Sequence, residues 1–240
     1  MSNLNTGFYK DLDTNFEQAL KMSDVNFSHE QLISMLINGN IPEKQIAALK
    51  LECLKSKEEA GILVFNLTGC DGKIREAVAL KIRNLLYADS KYLDFFTQAD
   101  IFADASIDIN GNICRLVIDS VALLKKSKDF SNVYTNRILT FIKEAFKELD
   151  SFIFRDKKYV INKQLFKLYW SLEALKIFAN DLPIEIIFPI LERASKEREY
   201  TIREKAAQIL VLLDDEIFKD LKFQLQNDEN YYVRNAIINS

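Results

Sequence analysis

The chain has 240 residues, of which 48% are hydrophobic and 28% charged, enough to bury a sizeable core in an ordinary globular class. Six Gly and three Pro are too few for the turns and bulges of an all-β fold of this size. A formal net charge of -3 gives no global reason for nucleic acid or an anionic membrane as partner, and Cys53, Cys70 and Cys114, far apart and without a C-x-x-C, give neither a disulfide framework nor a zinc knuckle.

The polar start from Met1 to Lys10 lacks the pattern of a secretory leader, and no apolar run approaches bilayer length, so a soluble, cytoplasmic protein without membrane insertion is expected. In chain order, Phe8, Leu12, Phe16, Ala19 and Leu20 form a helical stripe, which predicts a capping segment over residues 1–28. Over residues 29–240 apolar residues return at three- and four-residue spacing, predicting one continuous domain of paired helices. The pairs are Glu30–Asn38 with Pro42–Ser56, Glu58–Thr68 with Gly72–Ala88, and Lys91–Ala105 with Gly111–Lys126. Then follow Asn132–Ser151 with Lys157–Ala179, Ile184–Lys196 with Tyr200–Leu213, and Glu216–Gln226 with Tyr231–Asn239. Pro42 and Pro183 suit first turns, whereas Pro189 falls inside a helical run and is expected to kink it.

A motif recurs at the start of the second helix of several pairs. Asp71-Gly72-Lys73-Ile74-Arg75 aligns with Glu199-Tyr200-Thr201-Ile202-Arg203 and with Asn230-Tyr231-Tyr232-Val233-Arg234, where Asp228 precedes the cap by two. A weaker copy is Asn110-Gly111-Asn112-Ile113-Cys114-Arg115, with the arginine displaced by one. The branched anchors Ile46, Ile74, Ile113, Ile161, Ile202 and Val233 lie 28, 39, 48, 41 and 31 residues apart. The acid, the Ile/Val-Arg pair and the small apolar residues after it resemble the second helix of HEAT repeats, from about Glu30 onward. The resemblance implies an all-α, right-handed α-solenoid of about six HEAT-like hairpins behind an N-terminal capping helix. It also implies a structural ladder in which arginines reach acids of adjacent repeats, matched here by Asp71, Arg75, Arg203, Asp228 and Arg234.

No phosphate-binding glycine motif or H-E-x-x-H is present, and the single histidine, His29, rules out a multi-histidine metal site, so no catalytic residue, metal or cofactor is assigned. One electrostatic signal is regional: from Val121 to Trp170 there are eleven Lys or Arg against five Asp or Glu. On the helix from Lys157, Ile161, Leu165, Leu168, Leu172 and Leu175 share one face, and Lys163, Phe166, Lys167 and Trp170 point away from it. These four, with Arg115, are the expected binding residues of a concave face, against the alternative that Trp170 is covered and belongs to the core. The leading expectation is a non-enzymatic scaffold that binds a protein or peptide segment. Nucleic-acid binding of the HEAT-like glycosylase type is the alternative, and a bilin-lyase type ranks behind it.

Overall fold

The computed structural model describes residues 6–69, 71–151, 158–214 and 216–238, and among these every regular element is helical. The α-helices are α1 (Thr6–Ser23), α2 (His29–Asn38), α3 (Ile41–Lys50), α4 (Lys57–Phe65), α5 (Gly72–Ala88), α6 (Ala99–Ala105) and α7 (Gly111–Leu124). They continue as α8 (Lys128–Ser151), α9 (Lys158–Lys176), α10 (Ile184–Ser195), α11 (Tyr200–Leu210), α12 (Lys219–Gln226) and α13 (Tyr231–Ile238). No described helix is long and apolar enough to cross a membrane.

Local chemistry sets the helix starts. Ser28 and Asn40 each form a reciprocal capping box, with Gln31 and Glu43 respectively, and Pro42 sits in the first turn of α3, where its missing N–H costs nothing. Asp71 accepts the Lys73 and Ile74 N–H groups at the start of α5. Helix α10 runs through Pro189 as one element, held at Ile187 and Leu191, which are buried on one side of it.

Two segments expected to be helical are not. The predicted helix to Ser56 stops at Lys50, because Leu51 turns extended (φ −63°, ψ 113°) while burying its side chain completely. The predicted helix from Lys91 is a 3₁₀ turn over Ser90–Asp94, followed by the short α6. Asp89 caps that turn by accepting the Lys91 N–H, and the buried Tyr92 Oη accepts the Leu54 N–H at 3.4 Å. Side-chain groups thus take the backbone donors that continued helix would have satisfied.

The chain divides into two compact units, residues 1–131 and 132–240. In the first, α1 packs on α3, α3 on α5 and α5 on α7, while α2 packs on α4 and α4 on α6. The hairpins α2/α3, α4/α5 and α6/α7 join these two rows. Asn66, buried at the end of α4, ties three helices: its Nδ2 donates to the Leu36 and Ile62 carbonyls and its Oδ1 accepts Lys44 Nζ at 3.0 Å. Phe96, Phe102 and Phe130 meet edge to face in this unit's core. In the second unit α9, α11 and α13 form one row, α10 packs on α12, and the hairpins are α10/α11 and α12/α13. There α8 meets α9 through Lys167 and Glu144, and α10 through Arg193 and Asp150.

Candidate functional site

In α5, α7, α11 and α13 the residue that follows the branched anchor uses its side chain in one recurring way. Arg75 Nη1 donates to the carbonyl six residues back, Gly69 O, at 2.6 Å. Arg203 Nη1 does the same to Glu197 O, and Arg234 Nη1 to Asp228 O. Cys114 holds this register in α7, its Sγ donating to Asp108 O at 3.1 Å, also six residues back. The displaced Arg115 is instead exposed on α7. Burial pushes the Cys114 thiol up to about 12, so it stays protonated as a core donor.

The remaining guanidinium donors reach across to the next hairpin. Arg75 Nε and Nη2 fork the Asp108 carboxylate at 2.6 and 3.2 Å, and Arg203 Nε and Nη2 fork Asp228 at 2.7 and 3.0 Å. Asp108 and Asp228 hold equivalent places: each lies two residues before an asparagine N-cap and also accepts that asparagine's N–H at 2.8 Å. Asp71, expected among the ladder acids, caps its own helix instead, and Asp108, which the sequence reading left out, is the acid that Arg75 takes. The available signal was the spacing Asp108-x-Asn110, identical to Asp228-x-Asn230. Burial pushes the Asp228 carboxyl up, but the Arg203 fork and the Asn230 N–H outweigh it and hold the group below its ordinary range.

Between α9 and α11 this rung is missing. Glu197 lies two residues before the Glu199 cap position, as Asp108 and Asp228 do before theirs, yet α9 contains no arginine. Glu197 Oε2 is buried without a hydrogen-bond partner, its nearest cation being Arg193 Nη2 at 3.7 Å. At this place a groove of about 410 Å³ opens, lined by Asn162, Leu165, Phe166, Tyr169 and Trp170 of α9 and by Glu199 and Thr201. Trp170 stands edge-on to Phe166 (6.1 Å, 66°) and to Tyr169 (5.2 Å, 84°). It lines the groove yet is only 7% exposed, and its Nε1 is a buried donor with no hydrogen-bond partner. Lys205 of α11 lies over the Tyr169 ring at 4.6 Å and pairs with Glu173, which also holds Lys176 at 2.7 Å. Burial opposes the charge on Glu173 and on Lys205, but the pairing prevails and keeps both ionised, fixing one side of the groove.

The five expected binding residues are therefore dispersed. Phe166 and Trp170 share the groove, whereas Lys167 turns to α8, where its Nζ meets Glu144 Oε2 at 2.8 Å and the Phe141 ring at 4.7 Å. Lys163 is exposed on α9, and Arg115 belongs to the other unit. Leu165, expected on the docked face, forms part of the groove wall. Tyr169 and Asn162 were not singled out from the sequence, and Glu199 and Thr201 entered only as part of the recurring motif; the missing arginine in α9 is the signal that marks this opening. Among the described residues no group of three or more His, Cys, Asp or Glu is placed to hold a metal ion. No protein-family model matches this chain, and no curated protein matches it.

The unpaired indole has a measurable consequence. A buried donor without a partner costs about 1–3 kcal/mol. Trp170→Phe removes that donor along with part of the ring area, so urea unfolding is expected to show a loss below about 1 kcal/mol. A loss of about 3 kcal/mol or more, typical of a large core truncation, would mean that the N–H is satisfied in solution.

Proposed function

We propose that this chain is a non-enzymatic scaffold, a right-handed α-solenoid of about six HEAT-like hairpins with an N-terminal capping helix, that holds an extended segment of a partner protein in the α9–α11 groove. The carrying observation is the buried, unpartnered Trp170 Nε1 in the wall of an aromatic groove. A peptide backbone offers what the groove lacks: carbonyl oxygens for the indole N–H and side chains to lie against Phe166 and Tyr169. The solenoid reading rests on the two rows of consecutive hairpins in each unit and on the repeated arginine geometry. The nucleic-acid reading has less support, since Lys167 of the basic stretch is already paired with Glu144.

The test uses the sole tryptophan as its reporter. Peptides selected from a random display library on the full chain are titrated while Trp170 emission is followed. Saturable emission changes are expected, weakened at least about tenfold by Phe166→Ala, the loss of a contact ring in a desolvated site. Trp170→Phe is expected to weaken retention of the labelled peptide while leaving stability nearly intact. Selected peptides that bind both variants as well as the parent chain would remove the groove from the proposal. Salt-sensitive binding of duplex or single-stranded DNA, lost in Phe166→Ala, would put the nucleic-acid reading in its place.

A further inference from the structure

The α9–α11 groove departs from the ladder on both of its walls, and the two departures are complementary. On α9 the ladder register falls on Asn162, which follows the anchor Ile161 as Arg75 follows Ile74 and Arg203 follows Ile202. Asn162 is exposed and lines the groove, so a short amide stands where the completed rungs begin with a guanidinium.

On the other wall the acid of the rung is kept and a second one is added. Glu197 holds the place of Asp108 and Asp228; its Oε1 accepts the Arg198 N–H at 3.1 Å, and its Oε2 is buried without a hydrogen-bond partner. Asp71, Asn110 and Asn230 use their side chains to accept N–H groups of their own helices, but Glu199, at the same cap position of α11, makes no such bond. Its half-buried carboxylate lies in the groove wall instead, with the Thr201 hydroxyl donating to it at 3.4 Å and no ion pair to a Lys or Arg among the described residues. The cations around these acids are engaged elsewhere: Arg203 with Asp228, Arg193 with Asp150 and Lys205 with Glu173. Independently of the acids, Trp170, 7% exposed and with Nε1 unpartnered, marks the same groove as one that lacks its ligand's polar groups.

We propose that the groove recognises an arginine side chain of the bound protein segment, which enters beside Asn162 and closes on Glu199 and Glu197 as the ladder arginines close on Asp108 and Asp228. This rests on the groove reading above and names what the segment must carry. A guanidinium suits the place better than an ammonium, because its planar donors can bridge two carboxylates while its flat face packs on the part-exposed Phe166 ring. Opposite charge in a partly desolvated groove then selects the segment, with the missing rung supplied by the partner.

The probes are peptides selected on the full chain whose binding is weakened by Phe166→Ala. Arginine is expected at one fixed place in them, and its replacement by citrulline, which keeps the shape and removes the charge, should weaken binding at least about tenfold. Glu199→Gln in the chain should weaken the arginine peptide by a similar factor and leave the citrulline peptide unchanged, so that the two changes together cost no more than one. Groove-binding peptides that lack arginine, or that tolerate citrulline, would leave the groove reading standing and overturn this one. If no selected peptide responds to Phe166→Ala, the groove reading itself fails and takes this one with it. A second measurement needs no ligand: Asn162→Arg returns the ladder residue to α9 and is expected to raise the melting temperature by about 2 °C or more, a rise that Glu197→Gln with Glu199→Gln removes. The same variant should exclude the arginine peptide, since its own guanidinium takes the acids. If Asn162→Arg neither raises the melting temperature nor excludes the peptide, these acids do not receive a guanidinium and the proposal fails.

Discussion

Asp228→Asn is expected to destabilise the protein by about 2–4 kcal/mol, with Arg203→Met in the same range. The pair is bidentate, and its side chains are only 10% and 9% exposed, so removing either partner strands the other in a poorly solvated place. Asparagine retains one oxygen, which in the Oδ1 place can still accept Arg203 Nη2 and the Asn230 N–H, and this keeps the expected cost below that of losing a fully buried charge. The double variant should lose at least about 1 kcal/mol less than the sum of the single losses, because the second change removes a group already unpaired. The pH dependence has a definite sign. The folded-state carboxyl of Asp228 is held below its ordinary value of 3.8, so its contribution is complete above that value and disappears as pH falls through the lower, folded one. Urea unfolding of the parent chain between neutral pH and pH 2 should show this acid-side loss, and Asp228→Asn should lessen it. A variant within 0.5 kcal/mol of the parent at neutral pH would show that the rung is solvated and structurally idle, about the ordinary scatter of a surface change.

Phe102→Ala is expected to cost about 3–5 kcal/mol. Phe102 has no exposed surface and sits between Phe96 (6.1 Å, 79°) and Phe130 (5.5 Å, 73°), so truncation removes two edge-to-face contacts and leaves a space that neither rigid ring can fill. Phe65→Ala is the control: that ring is largely exposed at the end of α4, and its loss should fall within about 0.5 kcal/mol. Thermal unfolding of the two variants side by side checks the contrast, and comparable losses would contradict the packing described for the first unit.

The all-helical class was legible because three- and four-residue spacing, caps and the scarcity of glycine agree along the chain. The ladder was legible in outline, through Ile/Val-Arg, but not in its pairing. Asp71 and Asp108 both stand near helix starts, and only the third dimension separates an acid that caps its own helix from one that receives a neighbour's arginine. Cys114 shows the same limit: α7 keeps the ladder register with a thiol, a residue no charge pattern would nominate. The breaks at Leu51 and Ser90–Asp94 were hidden because they depend on a contact across 38 residues, the Leu54 N–H with Tyr92 Oη. Trp170 escaped a choice between core and groove because it is covered on most sides and still lines an opening, which periodicity alone does not describe.

The reach of these contacts along the chain is short. Arg203 meets Asp228 across 25 residues, Arg75 meets Asp108 across 33, and Arg193 meets Asp150 across 43. Closing such loops costs little chain entropy, and topologies built from near neighbours fold fast. Within each unit, a hairpin leaving the ribosome would meet the surface it packs on in the hairpin made just before it. A mistranslated rung would then stall the hairpin that follows it and leave those already docked upstream intact.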